Sequence, residues 1–94
     1  MELNKVTWLI SAHLDLDNIL EHISIDSRKN AIEFKIKTIK ETRKLKEYSK
    51  LGRKIPEINK ENFREIIYKK YRIMYEISNK NIYIMFVVHS SMKF

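Results

Sequence analysis

The sequence predicts an α+β domain of element order β-α-α-β-β-β, in which a helical hairpin packs on one face of a small, mostly antiparallel sheet. Three observations predict it: a β-branched apolar segment near the start, two stretches with helical spacing of apolar residues, and period-two alternation in the last third. A length of 94 residues suits one domain over residues 1–94 rather than two. The alternative is a small helical protein with a C-terminal hairpin.

The first strand and the first helix are predicted from the opening residues. Residues 3–10 are β-branched and apolar, as in a strand. Ser11 follows at the position of a helix N-cap, where its hydroxyl can accept a free backbone N–H of the first turn. Apolar residues then recur at helical spacing, which predicts an amphipathic helix over 12–24.

A second helix is predicted over 28–50, capped at its start by Ser27 and ended by Gly52 as a C-cap. Two apolar stripes run along nearly opposite sides of it. One consists of Ala31, Phe34, Thr38 and Leu45, and the other of Ile32, Ile36 and Ile39. We expect the fold to bury both stripes; the alternative is that one of them binds a partner.

Three strands are predicted after Gly52, over Phe63–Tyr68, Tyr71–Ser78 and Ile82–His89. Residues 54–58 lie around Pro56, which has no N–H to donate, so this segment is either an edge strand or not a strand. Asn79-Lys80 is a two-residue hairpin loop, because asparagine tolerates positive φ.

That loop fixes a hairpin register with facing pairs 76–83, 74–85 and 72–87. One face then carries Arg72, Glu76, Tyr83 and His89, with His89 diagonal to Arg72. The other face carries Ile73, Ile77, Ile82, Ile84, Phe86 and Val88. A two-residue turn at Lys69-Lys70 puts Arg64 on this apolar face, and a three-residue turn puts it beside Arg72.

The composition excludes several kinds of site. The chain has no cysteine and three widely separated histidines, so we expect no disulfide, metal site or cofactor. A single glycine, Gly52, excludes the glycine-rich loops that bind phosphate. No apolar run approaches the ~18 residues of a membrane span. The first residues also lack the charged segment followed by an apolar segment that is typical of a signal peptide. We therefore expect a cytoplasmic protein without a membrane partner.

Basic charge is concentrated in the middle of the chain. The formal net charge is +7, made up of −4 over residues 1–26, +8 over 27–60 and +3 over 61–94. Such asymmetry predicts a polyanionic or acidic partner, although a lysine-rich surface also keeps a small protein in solution.

Several short motifs, in order along the chain, carry a family resemblance. They are Trp8, Ala12, Asp15-Leu16, Ile19 and Ile23, then Gly52-Arg53 with Pro56-Glu57, then Arg64-Glu65, Tyr71-Arg72 with Tyr75, and the late Val88-His89. Over residues 5–90 the sequence resembles the RelE/ParE superfamily of bacterial and archaeal toxins. The resemblance implies the fold predicted above and the toxin of a type II toxin–antitoxin pair, blocked by an acidic antitoxin encoded by the adjacent gene.

The superfamily has two branches, which imply different activities. RelE-like members cleave mRNA on the ribosome without metal, whereas ParE-like members inhibit DNA gyrase and are not nucleases. We expect ribosome-dependent mRNA cleavage, with gyrase inhibition, or a non-toxic basic module that binds nucleic acid, as the alternatives.

Cleavage without metal needs a base, an acid and cations for the phosphorane charge. The resemblance implies Arg72 as phosphate clamp, Glu57 as base and His89 as acid. It implies RNA contacts from Arg53, Lys54, Arg64 and Lys93. In a purely structural interpretation, Arg72 instead pairs with Glu65 or Glu76.

The sequence departs from the RelE pattern at two places. Arg64-Glu65-Ile66-Ile67 stands where RelE has paired lysines, and Ser90-Ser91-Met92 stands near the usual late Arg or Tyr, closer to ParE. For the antitoxin, the predicted contact is the stripe of Ile32, Ile36 and Ile39, provided that the fold leaves it uncovered.

Overall fold

The computed structural model describes residues 3–92, which form two helices on one face of a five-stranded sheet. Helix α1 spans Ile10–Asp26 and α2 spans Arg28–Arg43, followed by a 3-10 turn over Lys44–Lys46. The strands are β1 (Lys5–Trp8), β2 (Arg53–Lys54), β3 (Phe63–Tyr68), β4 (Tyr71–Ser78) and β5 (Asn81–His89). Their order in the sheet is β1-β5-β4-β3-β2, with β1 parallel to β5 and the other pairs antiparallel. The predicted α+β class is confirmed, whereas residues 55–58 form no strand, because the edge strand β2 is limited to Arg53–Lys54.

The core lies between the helices and the sheet. Its buried members come from α1, the 3-10 turn and the three long strands: Ala12, Leu45, Ile66, Ile73, Tyr75, Ile82, Ile84 and Val87. No helix in the described part of the chain is long and apolar enough to cross a membrane.

The start of α1 differs from the prediction. The helix begins at Ile10, and the preceding Leu9 is extended without a side-chain cap. The Ser11 hydroxyl instead donates to the backbone oxygen of Met85, at 2.6 Å. One turn later, the Asp15 carboxylate accepts the N–H of Val87 at 2.9 Å. Both side chains therefore satisfy backbone groups of β5, which a prediction from local sequence could not include.

The start of α2 agrees with the prediction and its end does not. The Ser27 hydroxyl caps the helix by accepting the N–H of Asn30 at 3.1 Å. The helix ends at Arg43, so the predicted extension to residue 50 is wrong. Gly52 is not a C-cap, since it lies against β3 beyond a further turn of irregular chain.

Only one of the two stripes of α2 is buried. Ala31, Phe34 and Thr38 face the sheet, and Leu45 continues that side in the 3-10 turn. Ile32 and Ile36 are 55% and 60% exposed, and Ile39 is half-buried. The expectation that the fold buries both stripes is therefore wrong, because a two-layer structure covers only one side of a helix.

A β-bulge changes the register of the predicted β4–β5 hairpin. Asn79, at a φ of 58°, forms the predicted turn with Lys80, and Glu76 faces Tyr83 as expected. The register then shifts at Met74/Tyr75. Beyond the shift the observed pairs are Met74–Phe86, Ile73–Val87, Arg72–Val88 and Tyr71–His89, so the predicted pairs 74–85 and 72–87 are wrong.

The shift also redistributes side chains between the two faces. Because one extra residue reverses the alternation, Val87 enters the core, while Phe86 and Val88 turn to the uncovered face. His89 pairs with Tyr71 and lies on the helix-covered side, opposite to Arg72. The Lys69-Lys70 turn has two residues, since Tyr68 pairs with Tyr71, so Arg64 faces the same side as Tyr75.

Gly52 and Tyr75 fix the segment that leads into β2. The Tyr75 hydroxyl accepts the Gly52 N–H at 3.0 Å and donates to the Ser49 oxygen at 2.7 Å. Burial raises the pKa of this hydroxyl, which keeps it protonated as a donor. A Cβ atom at Gly52 would overlap the carbonyl oxygen of Glu65 and lie 2.9 Å from the Tyr75 ring. Glycine is thus required for the close approach of two backbones.

Replacing Gly52→Ala should destabilise the domain by about 3 kcal/mol, because rigid backbone and a buried ring cannot move aside. Thermal and urea unfolding measure the effect. The control is Lys54→Ala, an exposed change in the adjacent strand β2, which should stay within about 0.5 kcal/mol of the wild type. Equal stability of Gly52→Ala and the control would contradict the close approach.

Candidate functional site

The uncovered face of the sheet carries a cluster of two arginines and two glutamates, which we call the ionic cluster: Arg53, Glu57, Glu65 and Arg72. The Nε of Arg72 donates to Oε1 of Glu65 at 2.7 Å. The two Nη atoms of Arg72 donate to the two carboxylate oxygens of Glu57 at 2.7 and 2.8 Å. The second oxygen of Glu65 accepts from Nε of Arg53 at 2.7 Å. Each carboxylate of the cluster is therefore bound to guanidinium.

Burial makes this arrangement unusual. Arg72 is 5% exposed and Glu65 is 1% exposed, while the Glu57 and Arg53 side chains reach solvent. The hydrogen bond with Glu57 raises the pKa of Arg72, with Glu65 adding to the effect and burial opposing it. The guanidinium is charged, desolvated and already paired with carboxylates on both of its edges.

Three elements bring the cluster together. Strands β3 and β4 place Glu65 and Arg72 on the uncovered face. Glu65 pairs with Met74, and Met74 is two residues from Arg72 on β4, so all three side chains point to the same side of the sheet. Strand β2 adds Arg53, which pairs with Glu65 in register. Glu57 lies in the loop after Pro56, which folds back over β4.

A cavity of about 400 Å³ opens beside the ionic cluster. Its walls are Arg53, Pro56, Glu57, Ile67, Arg72, Ser90 and Met92. The chain after β5 forms one side of it, and the Met92 carbonyl accepts a weaker hydrogen bond from Arg72 at 3.3 Å.

The predicted catalytic residues do not share one site. Arg72 and Glu57 are in direct contact, but His89 lies on the other face because of the β-bulge. Its Nδ1 is 2.7 Å from the Ser91 hydroxyl and accepts the Ser91 N–H, and its ring packs against Tyr71. The predicted placement of His89 beside Arg72 is therefore wrong.

The predicted RNA-binding residues are also divided between the faces. Arg53 belongs to the ionic cluster, while Arg64 and Lys54 face the helix side. Arg64 donates to the Gly52 carbonyl at 2.8 Å and pairs with Glu61, lowering the pKa of that carboxyl. Lys54 is 4.0 Å from Glu61. Lys93 lies outside the described residues.

The sequence predicts some of the contacts in the ionic cluster and misses others. The structural interpretation in which Arg72 pairs with Glu65 is confirmed, whereas among the contacts described for Arg72 none involves Glu76. The family resemblance assigns Glu57 as a base, and the sequence does not predict its pairing with Arg72, because a loop residue has no strand register. The triplet Phe86-Val87-Val88 interrupts the apolar alternation and was the available sign of the bulge. Within residues 3–92, no group of three or more His, Asp or Glu side chains is placed to hold a metal ion.

Replacing Arg72→Ala should lower stability by about 3 kcal/mol or more, because it leaves Glu65 buried with Arg53 as its remaining partner. Arg72→Lys keeps the charge but loses the paired hydrogen bonds, so its loss should be intermediate. Thermal melts with far-ultraviolet circular dichroism measure both. Glu76→Gln, on the same strand and face, is the matched control and should melt like the wild type. A wild-type melting temperature for Arg72→Ala would contradict the structural role of the cluster.

Comparisons with known proteins agree with this fold. Residues 6–94 match the family described as the ParE toxin of the type II toxin-antitoxin system, parDE. A chain of the chromosomal ParDE TA system from P. aeruginosa has a similar structure, with a TM-score of 0.75, 17% sequence identity, and coverage of 92% of this chain and 95% of that chain. A search of curated protein sequences finds no significant match. Since the family match extends over nearly the whole chain, this protein belongs to the ParE toxin family of type II toxin–antitoxin systems.

Proposed function

We propose that this toxin stops growth by inhibiting DNA gyrase, without cleaving nucleic acid. The observation that carries the proposal is the closed state of Arg72. Its guanidinium is bound on both edges by Glu57 and Glu65 and is almost fully buried. A phosphate could reach it only by displacing two carboxylates from a desolvated position, which is unfavourable.

The rest of the geometry supports the same conclusion. Metal-free cleavage needs a base and an acid within hydrogen-bonding reach of one ribose and its phosphate. Glu57 is held by Arg72, and His89 lies on the opposite face of the sheet. Membership of the ParE family favours gyrase as the target, since ParE-like toxins are gyrase inhibitors.

Messenger RNA cleavage on the ribosome remains the second candidate, because a net charge of +7 suits a polyanionic target. The two candidates differ in the role of His89. In a gyrase inhibitor it touches no reacting atom, whereas in a ribonuclease it would be the acid.

Purified toxin should block supercoiling by gyrase and should leave mRNA intact in a translation extract. His89→Gln should inhibit gyrase as strongly as the wild type, because inhibition needs no proton transfer and the exposed His89 side chain lies on the face opposite to the ionic cluster. Cleaved mRNA with normal supercoiling would overturn the proposal. A loss of cleavage of about 10²-fold or more in His89→Gln would then assign it as the general acid.

We also propose that the toxin is held inactive by an acidic antitoxin, which binds the stripe of Ile32, Ile36 and Ile39. The P. aeruginosa structure is described as a ParDE system, in keeping with such a pair. Two of these isoleucines are exposed, and the surrounding segment 27–60 carries a net charge of +8. An acidic amphipathic helix would bury its apolar side on the stripe and be steered by that charge.

The double variant Ile32→Glu/Ile36→Glu should weaken binding of the protein encoded by the adjacent gene by about 10²-fold or more, since it places charge in an apolar contact. Isothermal titration calorimetry measures the affinity. Ile67→Glu, which changes an exposed isoleucine on the opposite face of the sheet, is the control and should bind normally. Unchanged affinity of the double variant would show that the antitoxin binds elsewhere on the toxin.

A further inference from the structure

A groove bordered by cations and aromatic residues lies at the end of α2 and the 3-10 turn that follows it. Its larger part is a cavity of about 370 Å³, whose walls include four basic residues and a tyrosine: Lys40, Arg43, Lys44, Lys46 and Tyr48. Its smaller part, of about 210 Å³, also has Arg43 and Lys46 as walls and reaches Trp8 of β1. Because the two cavities share these walls, they adjoin, and together they are here called the basic groove.

Most of the positive charge of the basic groove is not neutralised within the domain. Lys44 pairs with Glu41 at 2.9 Å, whereas no ion pair within residues 3–92 involves Lys40, Arg43 or Lys46. These three residues are exposed. The dipole of α2 favours cations in its last turn, but Lys46 lies beyond the helix, so the dipole does not account for the whole set.

The turn that carries these side chains is held against β1. Asn4 donates from its backbone N–H to the Lys46 oxygen at 2.9 Å, and from its side-chain amide to the oxygens of Leu45 and Lys46 at 3.3 and 3.2 Å. Leu45 is fully buried, and the Tyr48 N–H donates to the Lys44 oxygen at 3.0 Å. The basic groove is therefore formed before a ligand arrives, which lowers the cost of ordering it on binding.

We propose that the basic groove binds a single strand of nucleic acid, with phosphates on Lys40, Arg43 and Lys46 and a base stacked on Tyr48. Cations three or four residues apart on a helix are about 5–6 Å from one another, which suits neighbouring phosphates of one strand. Tyr48 is 63% exposed, more than any other aromatic residue within residues 3–92. An exposed ring beside unpaired cations holds unpaired bases without reading their sequence.

The composition of the groove favours a single strand over the other polyanions. An acidic amphipathic helix needs an apolar surface for its buried side. The larger cavity offers it one aliphatic residue, Leu3, among its described walls. A duplex keeps its bases stacked on one another, so it would use the cations of the groove but not the ring of Tyr48. A single strand uses both.

The basic groove is separate from the ionic cluster. It lies at the β1 edge of the sheet, whereas the ionic cluster lies at the β2 end. A strand bound in the groove is thus far from Arg72 and Glu57, and the inference concerns binding and not cleavage. It does not rest on gyrase inhibition, since binding is measured with toxin alone. Either proposal can fail while the other stands.

Fluorescence anisotropy of a short labelled oligothymidylate with antitoxin-free toxin, over a series of salt concentrations, measures the binding. For three phosphate contacts, the logarithm of the association constant should fall with the logarithm of the salt concentration with a slope of about −2. Arg43→Ala/Lys46→Ala should weaken binding by about ten-fold or more and make the slope shallower by about 1.4. The control Lys29→Ala/Lys35→Ala removes the same charge from exposed positions earlier on α2. It should bind within about two-fold of the wild type, because distant charges are screened.

A second pair of variants tests the stacked base. Tyr48→Ala should lose about ten-fold in affinity, whereas Tyr48→Phe keeps the ring and should bind like the wild type. An abasic strand of the same length should bind the wild type and Tyr48→Ala equally. The same series with oligouridylate distinguishes RNA from DNA as the bound strand, and circular dichroism confirms that each variant is folded.

Four results would overturn the proposal. They are a wild type that does not bind the oligonucleotide, a lysine control that loses as much affinity as Arg43→Ala/Lys46→Ala, wild-type affinity in Tyr48→Ala, and tighter binding of a glutamate oligopeptide of equal charge. The last would assign the groove to an acidic protein partner.

Discussion

The buried pair of Arg72 and Glu65 is the interaction on which the arrangement of the uncovered face depends. A charged pair in the interior of a sheet is tolerated only when its remaining hydrogen-bonding positions are filled. Here Glu57 and Arg53 fill them, one from a loop and one from an edge strand. Glu57 thereby ties the segment after β2 to β4, in addition to the buried Ile55 and its backbone hydrogen bond to Phe63.

The helix-covered side depends on a different constraint, the bulge between β4 and β5. Strand β1 pairs with β5 only as far as Ile84, and two side chains of α1 satisfy backbone groups of Met85 and Val87 beyond that point. Helix α1 is thus docked on the irregular part of the sheet by specific hydrogen bonds as well as by apolar packing. The same bulge sends His89 to the side of Tyr71 and separates it from Arg72.

The two faces of the domain consequently differ in what they can bind. On the sheet side, the two arginines of the ionic cluster are paired with its two glutamates, so little positive charge is left to bind a phosphate. On the helix side, both helices expose apolar residues, with mostly acidic charges on α1 and mostly basic charges on α2. This contrast favours a protein that works by contacts with other proteins rather than by chemistry on a nucleic acid.

The sequence by itself determined the class of fold, the three long strands, the Asn79-Lys80 turn and the cap at Ser27, because these follow from local periodicity and local hydrogen bonds. It also made Glu65 a candidate partner of Arg72, since neighbouring strands bring them to one face. The tertiary structure decided the rest. The bulge, the role of Gly52 and the closure of Arg72 by Glu57 all depend on groups distant in sequence, whose meeting no local pattern specifies.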